Sequence, residues 1–157
     1  MPLYEFETTW KLRAPLAAVW DAIVASERWP EWWRGVERVE TLQAGDEQSI
    51  GARHRLTWRS KLPYTLSFET EVVKAEPMSL IEGRASGELE GVGIWRLDEL
   101  DGVTKVHYTW RVRTTRWWMN LLAPIGRPAF RWNHDYVMHN GAMGLAKLLG
   151  TELLAES

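Results

Sequence analysis

The chain has 157 residues, which fits one domain over 1–157 and suffices to bury about two-thirds of the surface that the unfolded chain exposes. Its 19 basic and 21 acidic residues give a net charge of −2, so no excess of positive charge is available to bind a nucleic acid. The absence of cysteine excludes disulfides, thiolate metal sites and cysteine nucleophiles. The N-terminus MPLYEFETTW lacks the pattern of a signal peptide and no long apolar run follows, so we expect a cytoplasmic protein without stable membrane insertion.

The N-terminal third of the chain predicts one strand and two short helices. Residues 3–13 alternate between apolar and polar side chains, which is typical of a half-buried strand. Pro15 then opens PLAAVWDAIVA, a short helix with its apolar residues on one side. A second helical piece is predicted in SERWPEWWRGV, with Ser26 as its cap and Gly35 at its end.

The middle of the chain predicts six further strands, at about 36–42, 50–60, 64–74, 80–86, 88–99 and 104–113. The joints between them are short and carry turn residues, most clearly Asp101-Gly102, so the neighbouring strands are expected to be antiparallel. The face predicted to point inward carries Ile50, His54, Leu56, Trp58, Leu66, Phe68, Val72, Trp95, Leu97, Val106, Tyr108, Trp110 and Val112. Glycines at 83, 87, 91 and 93 indicate that the sheet curls.

Residues 128–149 predict one long C-terminal helix laid on this sheet. Pro128 suits a first helical position and Gly150 suits the left-handed residue that follows a helix. Apolar residues recur between them at steps of three and four, but His134 interrupts the stripe and Gly141 leaves room beside it. We therefore expect the C-terminal (far) end of the helix to seal a core and its N-terminal (near) end to form one wall of a ligand cavity.

The segment 114–127, TTRWWMNLLAPIGR, is too apolar for an ordinary loop. It can pack flat on the domain, cap the cavity as a lid, or touch a membrane surface with the arginines around it. Alternatively, residues 117–125 form the contact surface of a protein-interaction module, a function that needs no cavity. The sequence leaves these alternatives open, and it leaves the oligomeric state open between a monomer and a homodimer.

The order of strand, two short helices, six antiparallel strands and long helix resembles the helix-grip fold of the START-like or SRPBCC superfamily. The resemblance extends over essentially the whole chain and is greatest in the branch usually described as polyketide cyclase/dehydrase-like. It is carried by Ala14-Pro15 with Val19-Trp20, by Arg28-Trp29-Pro30-Glu31-Trp32-Trp33, and by Arg131-Trp132-Asn133-His134-Asp135 with Val137-Met138. The resemblance implies an α+β fold in which a seven-stranded curved sheet wraps around the last helix.

The resemblance also implies a cavity that holds a lipid, sterol, quinone or polyketide-like compound, without a cofactor. Trp58, Phe68, Trp95 and Trp110 are expected to line the sheet wall, and His134 and Met138 the helix wall. With 11 tryptophans in the chain, each indole either provides a flat wall for a ligand or fills the core. The polar groups that could orient a ligand are Tyr64, Glu82, Arg84, Asn133 and Asn140.

Two histidines are the candidates for chemistry in that cavity. His134 and His54 both fall on inward faces, and an imidazole near neutral pKa can move a proton in a cyclisation or dehydration. A buried structural histidine is the commoner outcome, so binding alone is the favoured function. Asp135 follows His134 by one residue and points about 100° away from it, so the two cannot form a direct orienting pair. No spacing typical of a metal site, a serine nucleophile or a phosphate-binding loop is present.

Overall fold

The computed structural model describes residues 3–59, 65–117, 121 and 123–157, with the backbone alone for 123–126. Its elements in chain order are β1 (Leu3–Leu12), α1 (Leu16–Val24), a 3₁₀ helix (Ser26–Glu31), β2 (Val36–Gln43), β3 (Arg53–Arg59), β4 (Thr65–Glu76), β5 (Leu80–Gly87), β6 (Leu89–Leu100), β7 (Val103–Thr114), α2 (Ala123–Leu148) and β8 (Leu153–Glu156). The predicted α+β helix-grip order is confirmed.

The strands form one antiparallel sheet in the order β2-β3-β4-β5-β6-β7-β1-β8. Eight strands replace the predicted seven, because the chain after α2 returns as β8 and pairs with β1. Four residues are too few to show an alternating pattern, which is why the sequence does not reveal this strand. Asp101 and Gly102 have φ values of 52° and 76°, as the predicted hairpin turn requires.

The sheet curls most clearly where β6 pairs with β7. Gly91 has φ 155°, and a Cβ atom built on it would lie 2.0 Å from the carbonyl oxygen of Arg111. Only glycine allows the two backbones to approach so closely. The predicted curvature is therefore present, and the concave face of the sheet turns toward α1, the 3₁₀ helix and α2.

The long helix begins earlier than predicted. It starts at Ala123, so Pro128 lies inside the helix rather than at its first position. Pro124 occupies the first turn, where a missing N–H leaves no bond unmade. Gly150, with φ 61°, follows the end of the helix as predicted.

Two smaller corrections concern the N-terminal half. The predicted second helix is only a 3₁₀ helix, Ser26–Glu31, whose start has no side-chain cap, so Ser26 does not cap it. Ile50 was predicted on the inner face of a strand, but β3 begins at Arg53 and Ile50 is 36% exposed in the preceding turn. The segment 114–127 lies partly outside the described residues. In it, β7 ends at Thr114 and the described side chains of Trp117 and Leu121 are 75% and 71% exposed.

The core divides into two clusters of buried side chains. The larger cluster joins the far half of α2 to α1, with Ala142, Leu145 and Val19 fully buried. The smaller cluster lies at the near end of α2 and contains Tyr4 and Phe68. The far end of the last helix thus seals a core, and the space left near its beginning positions the site described below.

Candidate functional site

A cavity of about 620 Å³ lies between the concave face of the sheet and the near half of α2. The described residues that line it include the six predicted wall residues and the candidate His54: Trp58, Phe68, Trp95, Trp110, His134, Met138 and His54. The helix contributes Phe130, Asn133, His134, Val137 and Met138, which fall at steps of three and four on one face. The structure brings these residues together around one space, and their role in binding remains a prediction.

The floor of the cavity is made by neighbouring strands whose side chains are small. Gly83 pairs with Gly93 across β5 and β6, and Ala85 lies on the same face two residues after Gly83. Because none of these residues has a large side chain, the middle of the sheet cannot fill the space beneath the helix. Larger rings stand on either side, with Trp95 stacked on Tyr108 at 4.0 Å between ring centroids.

The space beside Gly141 is not part of the cavity, contrary to the interpretation made from the sequence. A Cβ atom at Gly141 would lie 2.6 Å from Cε2 of Trp33, so this indole already occupies the gap. Trp33 is 2% exposed, and its Nε1 donates a hydrogen bond to the Val137 carbonyl at 2.9 Å. The glycine therefore admits a tryptophan from the segment after the 3₁₀ helix and not a ligand.

Tryptophan rings hold each other in place along this wall. Trp33 contacts the rings of Trp10, Trp29, Trp58 and Trp95 at centroid distances of 5.8, 5.1, 5.2 and 6.1 Å. Most of these pairs are tilted or edge-to-face, which is the geometry that the ring quadrupoles favour. All of these indoles except Trp10 also line the cavity, so the same side chains fill the core and form the cavity wall.

His134 lies at the near end of α2 with its ring stacked on Phe6 at 4.3 Å. Burial of the ring, with a smaller contribution from the Arg131 guanidinium, lowers the pKa of His134 to about 4. The Asp135 carboxylate lies 3.8 Å from His134 Nδ1, which is longer than a hydrogen bond. The Asp135 side chain is 68% exposed, so water screens its charge. The two side chains do not form an orienting pair, as predicted, and the imidazole is neutral at pH 7.

His54 lies near the opposite edge of the sheet, on β3. Burial lowers its pKa, and the Glu27 carboxylate acts in the opposite direction. Its Nε2 is 3.8 Å from Glu27 Oε2, on the 3₁₀ helix. The cross-strand neighbours of His54 are Thr41 on β2 and Thr70 on β4, and all of these residues line the cavity. Together with Asp21 and Ser26 they form a polar mouth, which we call the β3 mouth.

Within the described part of the chain, several buried polar atoms of residues on the cavity wall have no hydrogen-bond partner. They are the hydroxyl of Tyr4, Nε1 of Trp58, Oδ1 of Asn133 and both ring nitrogens of His134. Buried polar groups are normally hydrogen-bonded, because a buried donor or acceptor without a partner costs about 1–3 kcal/mol of stability. Such a set is expected in a site where a bound molecule or a small side-chain movement supplies the missing partners.

The sequence located most of the wall but not the groups at its polar ends. Tyr4 fell on the buried face of the first strand, yet nothing distinguished it from its neighbours. Asp21 and Glu27 follow no periodic pattern, so no sequence signal could place them at the mouth. Of the predicted orienting groups, Asn133 lines the cavity; Glu82, Arg84 and Asn140 are not among the lining residues, and Tyr64 lies outside the described residues.

No group of three or more His, Asp or Glu side chains in the described part of the chain is arranged to hold a metal ion. No described helix combines the length and the apolar character needed to cross a membrane.

A curved antiparallel sheet that encloses an aromatic cavity against a C-terminal helix defines a helix-grip protein. The sequence model of the family described as polyketide cyclase / dehydrase and lipid transport matches residues 4–149, so the chain belongs to that family. Its fold is also that of a solved START superfamily protein. No curated protein sequence matches the chain.

Solved structures support the same fold at low sequence identity. The Zhui aromatase/cyclase from a Streptomyces species is 17% identical, with a TM-score of 0.75 over 95% of this chain and 94% of that chain. A START superfamily protein from Mycobacterium smegmatis is 13% identical, with a TM-score of 0.76 over 93% and 97%. The di-domain ARO/CYC protein BexL is 20% identical, with a TM-score of 0.69 over 94% of this chain and 50% of that chain.

Proposed function

We propose that the chain is a single ligand-binding domain, 1–157, which holds a hydrophobic or amphipathic small molecule in the cavity under α2. The ligand belongs to one of four classes of compound: lipids, quinones, sterols or polyketide-like compounds. The observation that carries the proposal is the 620 Å³ cavity, because this volume lies in the range of small-molecule sites. Its wall is built from tryptophan and phenylalanine rings, with a few polar groups at the ends, which is the usual composition of such a site.

The test compares ligand binding by the native protein and by a variant with a filled cavity. Native mass spectrometry of the protein as purified should show a bound apolar compound. After delipidation, a ligand at one hundred times its Kd should add about 2.7 kcal/mol of stability. For a domain of this size that is a rise in Tm of roughly 5–10 °C. A panel of fatty acids, quinones, sterols and polycyclic phenols that leaves Tm unchanged would contradict the proposal.

Gly83→Leu provides the filled cavity. A Cβ atom at Gly83 has only ordinary contact with its surroundings, 3.7 Å from the Glu71 carbonyl, so the new side chain points into open space. The variant should fold normally and lose most of the ligand-induced rise in Tm. Ser86→Leu is the matched control, because Ser86 is exposed on the same strand and does not line the cavity.

A second candidate function is a cyclase or dehydratase that uses a histidine of the same cavity as acid and base. The observation that favours it is the approach of Glu27 to His54, since a carboxylate near an imidazole stabilises the protonated ring. His54 fits this role better than His134, whose pKa of about 4 makes it a weak base at pH 7. His54→Gln should then abolish turnover of a polyketide-like substrate while its binding persists. Unchanged turnover in that variant would remove His54 from the mechanism.

A further inference from the structure

Among the described residues of the cavity wall, the charged groups at pH 7 are all of one sign. Asp21 and Glu27 line the β3 mouth, and no lysine or arginine is found among the described residues that line the cavity. Both histidines on the wall have pKa values lowered by burial, so they add no positive charge at pH 7. A carboxylate or phosphate ligand would therefore meet no cation inside and two carboxylates at this opening.

The arginines nearest the site are directed to other partners. Arg28 feels the charge of Glu27, but its Nε and Nη2 donate to the carboxylate of Glu31 at 3.0 and 3.3 Å. At the opposite end, Arg127 and Arg131 lie outside the cavity over the rings of Tyr4 and Phe6, 5.0 and 5.3 Å from the ring centroids. Those two cations make this end of the cavity, beside the N-terminal half of α2, unfavourable for a positively charged ligand group.

The β3 mouth also offers hydrogen-bond acceptors, and an indole lines the same cavity. His54 is buried and lines the cavity, and within the described structure its ring makes no hydrogen bond, being 3.8 Å from Glu27. In a neutral imidazole, one of the two ring nitrogens can accept a hydrogen bond. Trp29 lies two residues after Glu27 on the same wall, held by a hydrogen bond from its Nε1 to the Ile23 carbonyl. Tryptophan is the best aromatic partner of a cation.

We infer that the ligand is an amphipathic amine, whose ammonium group lies at the β3 mouth between Glu27, Asp21 and His54 and whose apolar body lies among the tryptophans. This inference rests on the proposed function and adds the class of the ligand and its orientation. The ammonium group donates hydrogen bonds to the carboxylates and to His54, and its charge lies near the Trp29 ring. The opposite orientation would place the cation next to Arg127 and Arg131.

The expected size of the preference follows from the exposure of the two carboxylates. Both Asp21 and Glu27 are exposed, so each contributes a few-fold in affinity rather than the larger effect of a buried pair. A cation near an indole adds about two- to fivefold. The carboxylate analogue loses these contributions and is repelled as well. An ammonium ligand should therefore bind at least about tenfold more tightly than a matched carboxylate ligand.

The test uses three probes that differ only in the polar group: 4-butylbenzylamine, 4-butylbenzyl alcohol and 4-butylbenzoate. Isothermal titration calorimetry at pH 7 should rank them in that order, and the advantage of the amine should shrink between 0.05 and 0.5 M NaCl. Glu27→Gln should weaken amine binding by about three- to tenfold without changing that of the alcohol. Glu27→Lys, at a side chain 51% exposed, should reverse the order of amine and benzoate.

Glu37→Gln is the control, because Glu37 is an exposed carboxylate that pairs with Arg59 and does not line the cavity. It should leave all three affinities unchanged. Equal binding of the three probes, tighter binding of the benzoate, or a loss as large in Glu37→Gln as in Glu27→Gln would overturn the inference and leave the proposed function standing. If none of the probes binds and no apolar compound from the wider panel does, the proposed function fails and the inference falls with it.

Discussion

Gly141→Ala tests whether Trp33 fixes the position of α2. In an exposed helix, alanine in place of glycine stabilises by about 1 kcal/mol. Here the new Cβ would lie 2.6, 2.8 and 2.9 Å from three indole atoms, whereas ordinary contact begins at 3.4 Å. Either the helix or the ring must therefore move by about 0.8 Å at the closest contact.

Trp33 is held in place by its neighbours, so a movement of the ring would break contacts. It is 2% exposed, packs against five other indoles and donates a hydrogen bond from its Nε1 to the Val137 carbonyl. Overpacking of a dense core costs about 1–3 kcal/mol, and loss of the hydrogen bond adds about 0.5–1.5 kcal/mol. These terms exceed the gain in helix propensity. We expect Gly141→Ala to lower the free energy of unfolding by about 1–3 kcal/mol.

The assay is equilibrium urea unfolding followed by tryptophan fluorescence and by far-UV circular dichroism. A double-mutant cycle with Trp33→Phe isolates the contact, since the smaller ring leaves room for the methyl group. In that background Gly141→Ala should be neutral or stabilising, which gives a coupling energy of about 1–3 kcal/mol. Stabilisation by about 1 kcal/mol in the wild-type background would refute the reasoning, because it would mean that propensity alone governs this position.

Three further changes test other parts of the structure by urea unfolding. Thr104→Val should lower stability by about 1–3 kcal/mol, because the buried Thr104 hydroxyl donates to the Ala14 carbonyl at 2.6 Å; no change would disprove that bond. Tyr4→Phe should leave the ligand-free protein as stable or up to about 1 kcal/mol more stable, since the hydroxyl has no hydrogen-bond partner among the described residues. The depressed pKa of His134 means that the unfolded state binds more protons below pH 6.5, so stability should fall by up to about 3 kcal/mol as the pH drops from 6.5 to about 4. His134→Leu should abolish most of this fall. If the variant loses stability with falling pH as the wild type does, the pKa of His134 is not lowered.

The order of elements could be predicted because the signals on which it depends are local. Alternation in 3–13 and in the later strands, the turn at Asp101-Gly102 and the stripe on the last helix each act within a few residues. The elements that the sequence missed have no such signal. β8 has four residues, and its pairing with β1 depends on the position of α2. Two prolines, at 124 and 128, each suit a helix start, and the sequence gives no reason to choose the first.

The candidate site was predictable on its apolar wall and not at its polar ends. Inward-facing strand residues such as Trp58 and Trp110 line the cavity because a sheet face is determined by periodicity alone. Gly141 was misinterpreted because a glycine indicates close approach without naming what approaches. That partner, Trp33, lies 108 positions earlier in the chain. Glu27 reaches the mouth through the same long-range packing of the 3₁₀ helix, which no local pattern reports.

The hollow beneath α2 joins an aromatic middle to a polar mouth. The wall cannot close to remove it, because Gly83 and Gly93 have no side chains to extend and the indoles are held by one another. Water can hydrogen-bond at the β3 mouth, but the aromatic middle offers it few partners. An occupant with a polar head and an apolar body fits both regions, which is why the cavity and the charge of its mouth have to be explained together.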